Sequence, residues 1–285
     1  MDIKRPKVLV TGASGLVGGL IWRNLGHKYD FSGLNRRDVP EIPTTQADIS
    51  NLDAILPAFK GIDMVVHMAN YMGGGYLKRI AALAQGLDEW DEHLKGSIIG
   101  TRNVYEASRM NGVKRVVFGS TGDTMTGYEL EYPYGELAAG EYHKVNEPWR
   151  LITHTDPTRP KSIYGACKIF GEAIGHWYSD RYDMSVLCIR LGGVLEANRP
   201  TQKRQYPGWL EQRDCVDMID RCLSAPESLK YDIFNAISDN KYRWRDISHA
   251  KEILGWEPMG RAENHDLDDP GGWHQVLDGD QKLNR

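Results

Sequence analysis

Two periods of hydrophobicity take turns along the chain. Lys7-Val8-Leu9-Val10 is a short apolar run stopped by Thr11-Gly12, the pattern of a buried strand. From Leu16 to Leu25 the spacing becomes helical, with Leu16, Val17, Leu20, Ile21 and Leu25 on one side. Phe31–Leu34 predicts a second strand, Thr44–Ala47 a third, and Asn51–Phe59 a helix. Met64–Met68 predicts a central strand, Glu89–Asn111 a long helix stopped near Gly112, and Arg115–Phe118 the next strand. Ser162–Tyr182 then predicts a helix and Ser185–Arg190 another buried strand. After Gly192 the pieces shorten: a helix over Arg213–Leu223, a strand near Ile233, a helix over Trp244–Leu254, and a polar, irregular stretch from Met259.

Strands alternating with helices predict a parallel sheet covered on both faces, with right-handed crossovers. The expected fold class is therefore α/β, a doubly wound parallel sheet over residues 1–190. A small substrate-binding lobe, 191–285, with a polar C-terminal tail, is expected to close over the carboxyl edge, where ligands bind in such sheets. Thr121–Lys161 is long and weakly periodic, and its tyrosines and prolines (Tyr132, Pro133, Tyr134, Pro148 and Pro157) predict an ordered, functional loop.

Composition narrows the class. With 41% hydrophobic and 26% charged residues, disorder and fibrous architectures fit poorly. A net charge of −4 offers no broad attraction for nucleic acid or an anionic membrane, and no apolar run reaches membrane-helix length. The first six residues do not read as a signal peptide. Cys167, Cys188, Cys215 and Cys222 show no CxxC spacing and predict reduced thiols in a cytoplasmic protein. The nine histidines form no ligand-type pair, so no metal site is expected.

Chemistry concentrates in two places. Thr11-Gly12-Ala13-Ser14-Gly15-Leu16-Val17-Gly18 joins the first strand to the first helix. Glycines there permit a tight turn and close approach of a pyrophosphate to the free N–H groups of the helix N-terminus. Gly12, Ser14, Gly15, Leu16 and Val17 are the expected dinucleotide contacts. At the end of the second strand, where a carboxylate would grip an adenosine ribose, stands Asn35, followed by Arg36 and Arg37. An arginine suits a 2′-phosphate, so NADP is favoured over NAD. Second, Tyr164 and Lys168 lie four residues apart and share a helix face. An ammonium and a nicotinamide cation beside the phenol would lower its pKa from near 10 toward useful acid–base work.

Together these residues resemble the extended short-chain dehydrogenase/reductase superfamily, its NAD(P)-dependent epimerase/dehydratase group. The likeness is carried by Thr11–Gly18, Asp48, His67-Met68-Ala69, Gly100-Thr101-Arg102-Asn103-Val104, Phe118-Gly119-Ser120-Thr121 and Tyr164–Lys168. The resemblance implies a Rossmann sheet, and it implies roles. Asp48 and Ile49 would contact the adenine, and Met68 and Ala69 the ribose and phosphates. Thr121, with Ser120 adjacent, would take the place of the catalytic Ser/Thr. Tyr164 would be the acid/base and Lys168 would bind the nicotinamide ribose. A homodimer through the two long helices is also implied.

The C-terminal half looks most like the uronate dehydrogenase-like group, through Arg159–Gly165, Trp209-Leu210 with Arg213-Asp214, and Tyr242–Asp246. That likeness implies an oxidoreductase moving hydride between nicotinamide and a hydroxyl or carbonyl of a free sugar, sugar acid or related polyol. Three departures stand out. Ser97 replaces the usual Asn before the helical glycine. No Asn stands near Gly193 to bind a nucleotide diphosphate. Gly122-Asp123 replaces the Asn-His pair that follows the catalytic Ser. Gly122, Asp123 and Arg204 are the expected substrate contacts. The alternative reaction is an epimerase or dehydratase that retains its cofactor; it requires the same Tyr and Lys.

Overall fold

The computed structural model describes residues 5–71, 90–269 and 271–272. Among these residues seven strands form: β1 (Lys7–Thr11), β2 (Asp30–Asn35), β3 (Thr44–Gln46), β4 (Met64–His67), β5 (Arg115–Thr121), β6 (Ser185–Leu191) and β7 (Tyr231–Ala236). They join in the order β3-β2-β1-β4-β5-β6-β7, every neighbouring pair parallel. The order reverses between β1 and β4, which opens a crevice at their carboxyl ends.

Among the described residues, eight α-helical segments accompany the sheet: α1 (Leu16–Leu25), α2 (Leu52–Ile55), α3 (Trp90–His93), α4 (Gly100–Met110), α5 (Tyr134–Ala139), α6 (Ile163–Tyr182), α7 (Gln212–Ser224) and α8 (Ser248–Leu254). Strand residues alternate faces. Val8, Val10, Val66, Val117, Leu187 and Ile189 pack with Ile21 and Leu25 of α1 and Met218, Ile219 and Cys222 of α7. Leu9, Val65, Val116, Phe118, Val186 and Cys188 pack on the other face with Val104 and Tyr105 of α4 and Tyr178 of α6. Burial on both faces is why these strands read as continuous apolar runs.

The sheet continues past Arg190, since the whole of β7 pairs with β6 and α7 covers the same face as α1. Arg115 locks this part on. It is buried at the start of β5, and its guanidinium donates to the carbonyls of Leu223 (3.0 Å), Ala225 (2.6 Å) and Pro226 (2.8 Å) just at and beyond the end of α7. A cation at a helix C-terminus satisfies carbonyls that lack intrahelical donors.

Several elements differ from the sequence expectation. The helix expected from Glu89 is described from Trp90, Glu89 lying outside the described residues, and it runs α3, a π-helical turn over Leu94–Ile99, then α4. The helix at 51–59 is α2 followed by a 3-10 turn over Leu56–Phe59 with Pro57 in its first turn, where a missing N–H costs least. The helix expected from Trp244 begins at Ser248. Residues 244–246 are held extended, because Ile152 N–H donates to the Trp244 carbonyl and Asp246 N–H to the Ile152 carbonyl, both at 2.8 Å. The 121–161 segment is ordered: a 3-10 run over Gly122–Leu130, α5, and a short turn over Tyr142–Lys144. It has its own apolar centre of Met125, Tyr134, Leu137 and Ile152 closed by Trp244. Among the described residues no helix is long and apolar enough to cross a membrane.

Candidate active site

At the carboxyl end of β1 the backbone turns at Gly12, whose φ is +72°, a conformation costly for any other residue. A Cβ there would also lie 2.9 Å from Ala69 N, and one at Gly18 would lie 2.3 Å from Gly12 O. The two glycines let α1 and the β4 end close on the turn. No side chain caps the first turn of α1, which begins after Gly15, so Leu16 and Val17 open the helix with N–H groups facing the crevice. Such a glycine cradle beneath an uncapped helix fits a dinucleotide pyrophosphate.

The rest of the expected dinucleotide set rings this cradle. Asn35 Nδ2 donates to Ser14 Oγ at 2.9 Å, and Arg37 Nη2 reaches the same oxygen at 3.2 Å. Burial raises the Asp48 pKa, but bonds from Ser50 and the charge of Arg36 outweigh it and hold the carboxyl below its usual range. Asn103 donates to the carbonyls of Ile49 and Ser50, each at 3.0 Å, and so fixes the turn that presents Asp48 and Ile49. Ala69 N–H donates to Thr11 Oγ1 at 3.1 Å, and Met68 lies so close to β5 that a Cβ at Gly119 would be 2.4 Å from its Sδ.

The Tyr–Lys helix is started by Ser162, whose Oγ accepts the Gly165 amide at 3.0 Å. That cap places Tyr164 and Lys168 in the first two turns of α6. Burial dominates at Tyr164 and pushes the phenol up to about 12, although Thr121 at the end of β5 lies beside it and favours the ionised form. The lowering expected from an ammonium and a nicotinamide cation together is thus not produced by Lys168 alone. The ammonium lies 5.8 Å from the Tyr164 ring centre and is spent elsewhere, donating to Gly119 O at 2.6 Å. Burial also brings Lys168 itself down to about 8. Ser120, one residue before Thr121 and therefore on the opposite strand face, donates to Glu172 at 2.6 Å. Glu172 is in turn held by Arg190 through bonds of 2.9 and 2.8 Å. Ser120 thus belongs to a buried structural network and is not brought to Tyr164.

Beyond Thr121 lies a cavity of about 280 Å³ lined by Gly122, Asp123, Glu129, Arg204, Trp209 and Arg245, among others. The three expected substrate contacts, Gly122, Asp123 and Arg204, all meet there. Asp123 is tied to Thr126 Oγ1 (2.6 Å) and to the Ser162 hydroxyl. Glu129 pairs with Lys161 at 2.8 Å. Sequence reasoning missed Glu129 and Arg245. Glu129 sits in no motif, and Arg245 lies in the Tyr242–Asp246 stretch of the family likeness without a role attached to it; both are brought to the cavity by contacts between distant segments.

Away from the cavity the fold unites His154, His249 and Asp232, with potential ligand atoms within 4.8 Å of one another, a cluster that linear spacing does not reveal. His249 Nε2 bonds Asp232 Oδ1 at 2.8 Å, and the two imidazoles stack at 3.7 Å with 15° between planes. Their in-plane lone pairs therefore run side by side rather than converging.

Known proteins resemble this chain. The chain is 29% identical over 265 residues to the NAD-dependent glucose-6-phosphate dehydrogenase of Haloferax volcanii, covering 90% of this chain and 94% of that protein. It is also 29% identical to L-arabinose 1-dehydrogenase (NAD(P)(+)) from the same organism, over 90% and 97% of the two chains. A mutant uronate dehydrogenase from Agrobacterium tumefaciens, complexed with NAD, superposes with a TM-score of 0.74 at 25% identity, covering 91% of this chain and 87% of that one. Residues 8–213 match the NAD dependent epimerase/dehydratase family, and with that match over most of the chain, the protein belongs to this family.

Proposed function

We propose that this protein is a nicotinamide-dependent dehydrogenase of a free sugar or sugar acid. The observation that carries the reading is Thr121, a residue of the cavity wall with Tyr164 beside it, at the carboxyl end of the same sheet that carries the glycine cradle. Relatives named for glucose 6-phosphate, arabinose and uronate support the substrate class. Bound in the cradle, the cofactor would supply the hydride acceptor or donor. Gly12, Ser14, Gly15, Leu16 and Val17 would hold its pyrophosphate, Asp48 and Ile49 its adenine, and Met68 and Ala69 the path between.

The chain's own residues then handle the proton. Thr121 orients the substrate oxygen, and Tyr164 Oη exchanges a proton with it. As a phenol with a pKa near 12, Tyr164 is set to donate to a carbonyl. To accept a proton from a hydroxyl it needs added positive charge nearby, which favours the phenolate. Lys168 contributes part of that charge and would hold the nicotinamide ribose.

For the cofactor, the relatives' names speak for NAD, with NAD(P) in one of them. The absence of a carboxylate at Asn35, with Asn35 and Arg37 converging on Ser14, favours room for a 2′-phosphate, so NADP is the preferred form in our reading. Exposed Trp90 and Ile99 on one long helical run and Trp177 and Tyr182 on α6 support a homodimer through these helices, to be checked by light scattering. Four free, buried cysteines suit a reducing, cytoplasmic setting.

The test is nicotinamide absorbance with aldoses, uronates and polyols, each with NAD and NADP. Net reduction with one class supports the dehydrogenase. Conversion of substrate without net change in nicotinamide would replace it by the epimerase or dehydratase reading.

A further inference from the structure

Arg245 is the unexpected member of the cavity wall. Only 6% of its surface is exposed, yet no acceptor or counter-ion among the described residues meets its guanidinium, and its Nε is buried without a hydrogen-bond partner. Buried arginines are normally paired, because an uncompensated charge is costly away from water. The nearby acids, Glu129 and Asp123, act on it through their charge without bonding it, each being held elsewhere: Asp123 by the Thr126 and Ser162 hydroxyls, Glu129 by Lys161. Arg190, a neighbouring cation, is held by Glu172. Burial lowers the Arg245 pKa to about 10, so the group remains charged at neutral pH.

The fold nonetheless makes room for this charge. A Cβ at Gly122 would lie 1.3 Å from Arg245 Nη1, and a Cβ at Gly208 would lie 2.9 Å from Nη2. The guanidinium occupies the space a side chain at Gly122 would fill, one residue from Thr121. It rests 5.2 Å from the ring of Trp244, which restricts its swing. The backbone is anchored where Arg245 bridges Ile152. A fixed, desolvated and unpartnered guanidinium facing a cavity is a receptor for an oxyanion, since its fork of N–H donors matches a carboxylate or a phosphate.

We propose that Arg245 is the specificity-determining residue of the substrate cavity, binding a carboxylate or phosphate group of the sugar close to the reacting carbon. The inference rests on the dehydrogenase reading for the word sugar, and on the geometry alone for the anion. An anionic substrate supplies the counter-charge, so its binding satisfies the guanidinium that the folded chain leaves open. A neutral aldose leaves the guanidinium without a bonded counter-ion and is discriminated against.

The experiment measures binding of D-glucuronate, D-glucose 6-phosphate and D-glucose by calorimetry to the full-length protein loaded with reduced cofactor, beside turnover of each with the oxidised form. Wild type should prefer an anionic sugar over glucose, and the preferred one tells carboxylate from phosphate. Arg245→Met should cut the anionic-over-neutral ratio by about 100-fold, the loss of a bidentate charge-assisted pair. Arg245→Lys, which keeps the charge without the fork, should recover part of that ratio, and it serves as the test variant should the Met protein not fold. A ratio unchanged in Arg245→Met, or a wild type that oxidises glucose and binds neither anion, overturns the assignment and leaves the dehydrogenase reading standing. Arg245-dependent anion binding without turnover of any sugar does the reverse.

Discussion

The Ser162 hydroxyl donates to the Asp123 carboxylate while accepting the amide of Gly165. One side chain thus starts the helix that carries Tyr164 and ties that helix to the segment leaving Thr121. Replacing it with Ala removes a cap worth about 1 kcal/mol and releases Asp123 from the helix start. Ser162→Ala should melt a few degrees lower, and its kcat should fall more than its affinity for cofactor. A variant with the wild-type melting temperature and full turnover would show that neither bond matters.

Tyr164→Phe keeps the ring and deletes the proton. Turnover should fall by about 10²–10⁴-fold, the usual contribution of a positioned acid/base. Cofactor affinity, measured by fluorescence quenching, should change little. Retained turnover would assign the proton transfer to another group.

Asn35→Asp places a carboxylate where a ribose hydroxyl or its phosphate would lie. The ratio of NADP to NAD dissociation constants should shift toward NAD by about tenfold or more. An unchanged ratio would mean that the Asn35, Ser14 and Arg37 cluster does not meet the adenosine ribose.

Gly122→Ala should act through Arg245. The added methyl displaces the guanidinium, so stability falls by about 1–3 kcal/mol and anion preference is lost together. In an Arg245→Met background the same substitution should cost much less, a coupling readable from a double-mutant cycle. Additive effects would mean that the two residues do not compete for one space.

Two buried bases set the pH response. His67 lies buried between Thr11 Oγ1 (2.7 Å) and Thr101 Oγ1 (3.3 Å). Burial, helped by the Lys168 charge, pushes its pKa from 6.5 to about 3. Between those values the unfolded chain binds the extra proton. Stability from this group is therefore present above 6.5 and lost as pH falls toward 3, by roughly 5 kcal/mol. Lys168 behaves alike at the alkaline end. Its pKa falls from 10.5 to about 8, so folding gains stability as pH rises across that window, by roughly 3 kcal/mol. Urea unfolding across pH should show the acid limb flattened in His67→Asn and the alkaline rise absent in Lys168→Met. Wild-type slopes in both variants would refute the assignment.

Much of this was legible in the chain. The strands of the sheet announced themselves because burial on both faces leaves β-branched runs such as Arg115–Phe118 with no polar alternation. The glycine turn and the Tyr164–Lys168 spacing were legible because local geometry demands them. What could not be read was set by distant partners. Trp244 has helix-compatible neighbours, but pairing with Ile152 keeps it extended. Ser120 and Thr121 are adjacent and chemically alike, and only strand alternation and Glu172 separate their roles. Arg245 lies in a stretch that carries the family likeness, but its role was not legible there, since that role depends on the missing Cβ of Gly122.

The short ladder between Ile152 and Trp244–Asp246 joins two segments almost a hundred residues apart into one wall of the cavity. With Trp244 closing the apolar centre of the 121–161 segment, neither segment can leave without the other. The amides of Ile152 and Asp246 should therefore exchange with solvent as a single cooperative unit, separate from the sheet. Ligand bound against that wall would slow both amides together, so the residence time of the product would be written in the protection of two peptide groups that never touch it.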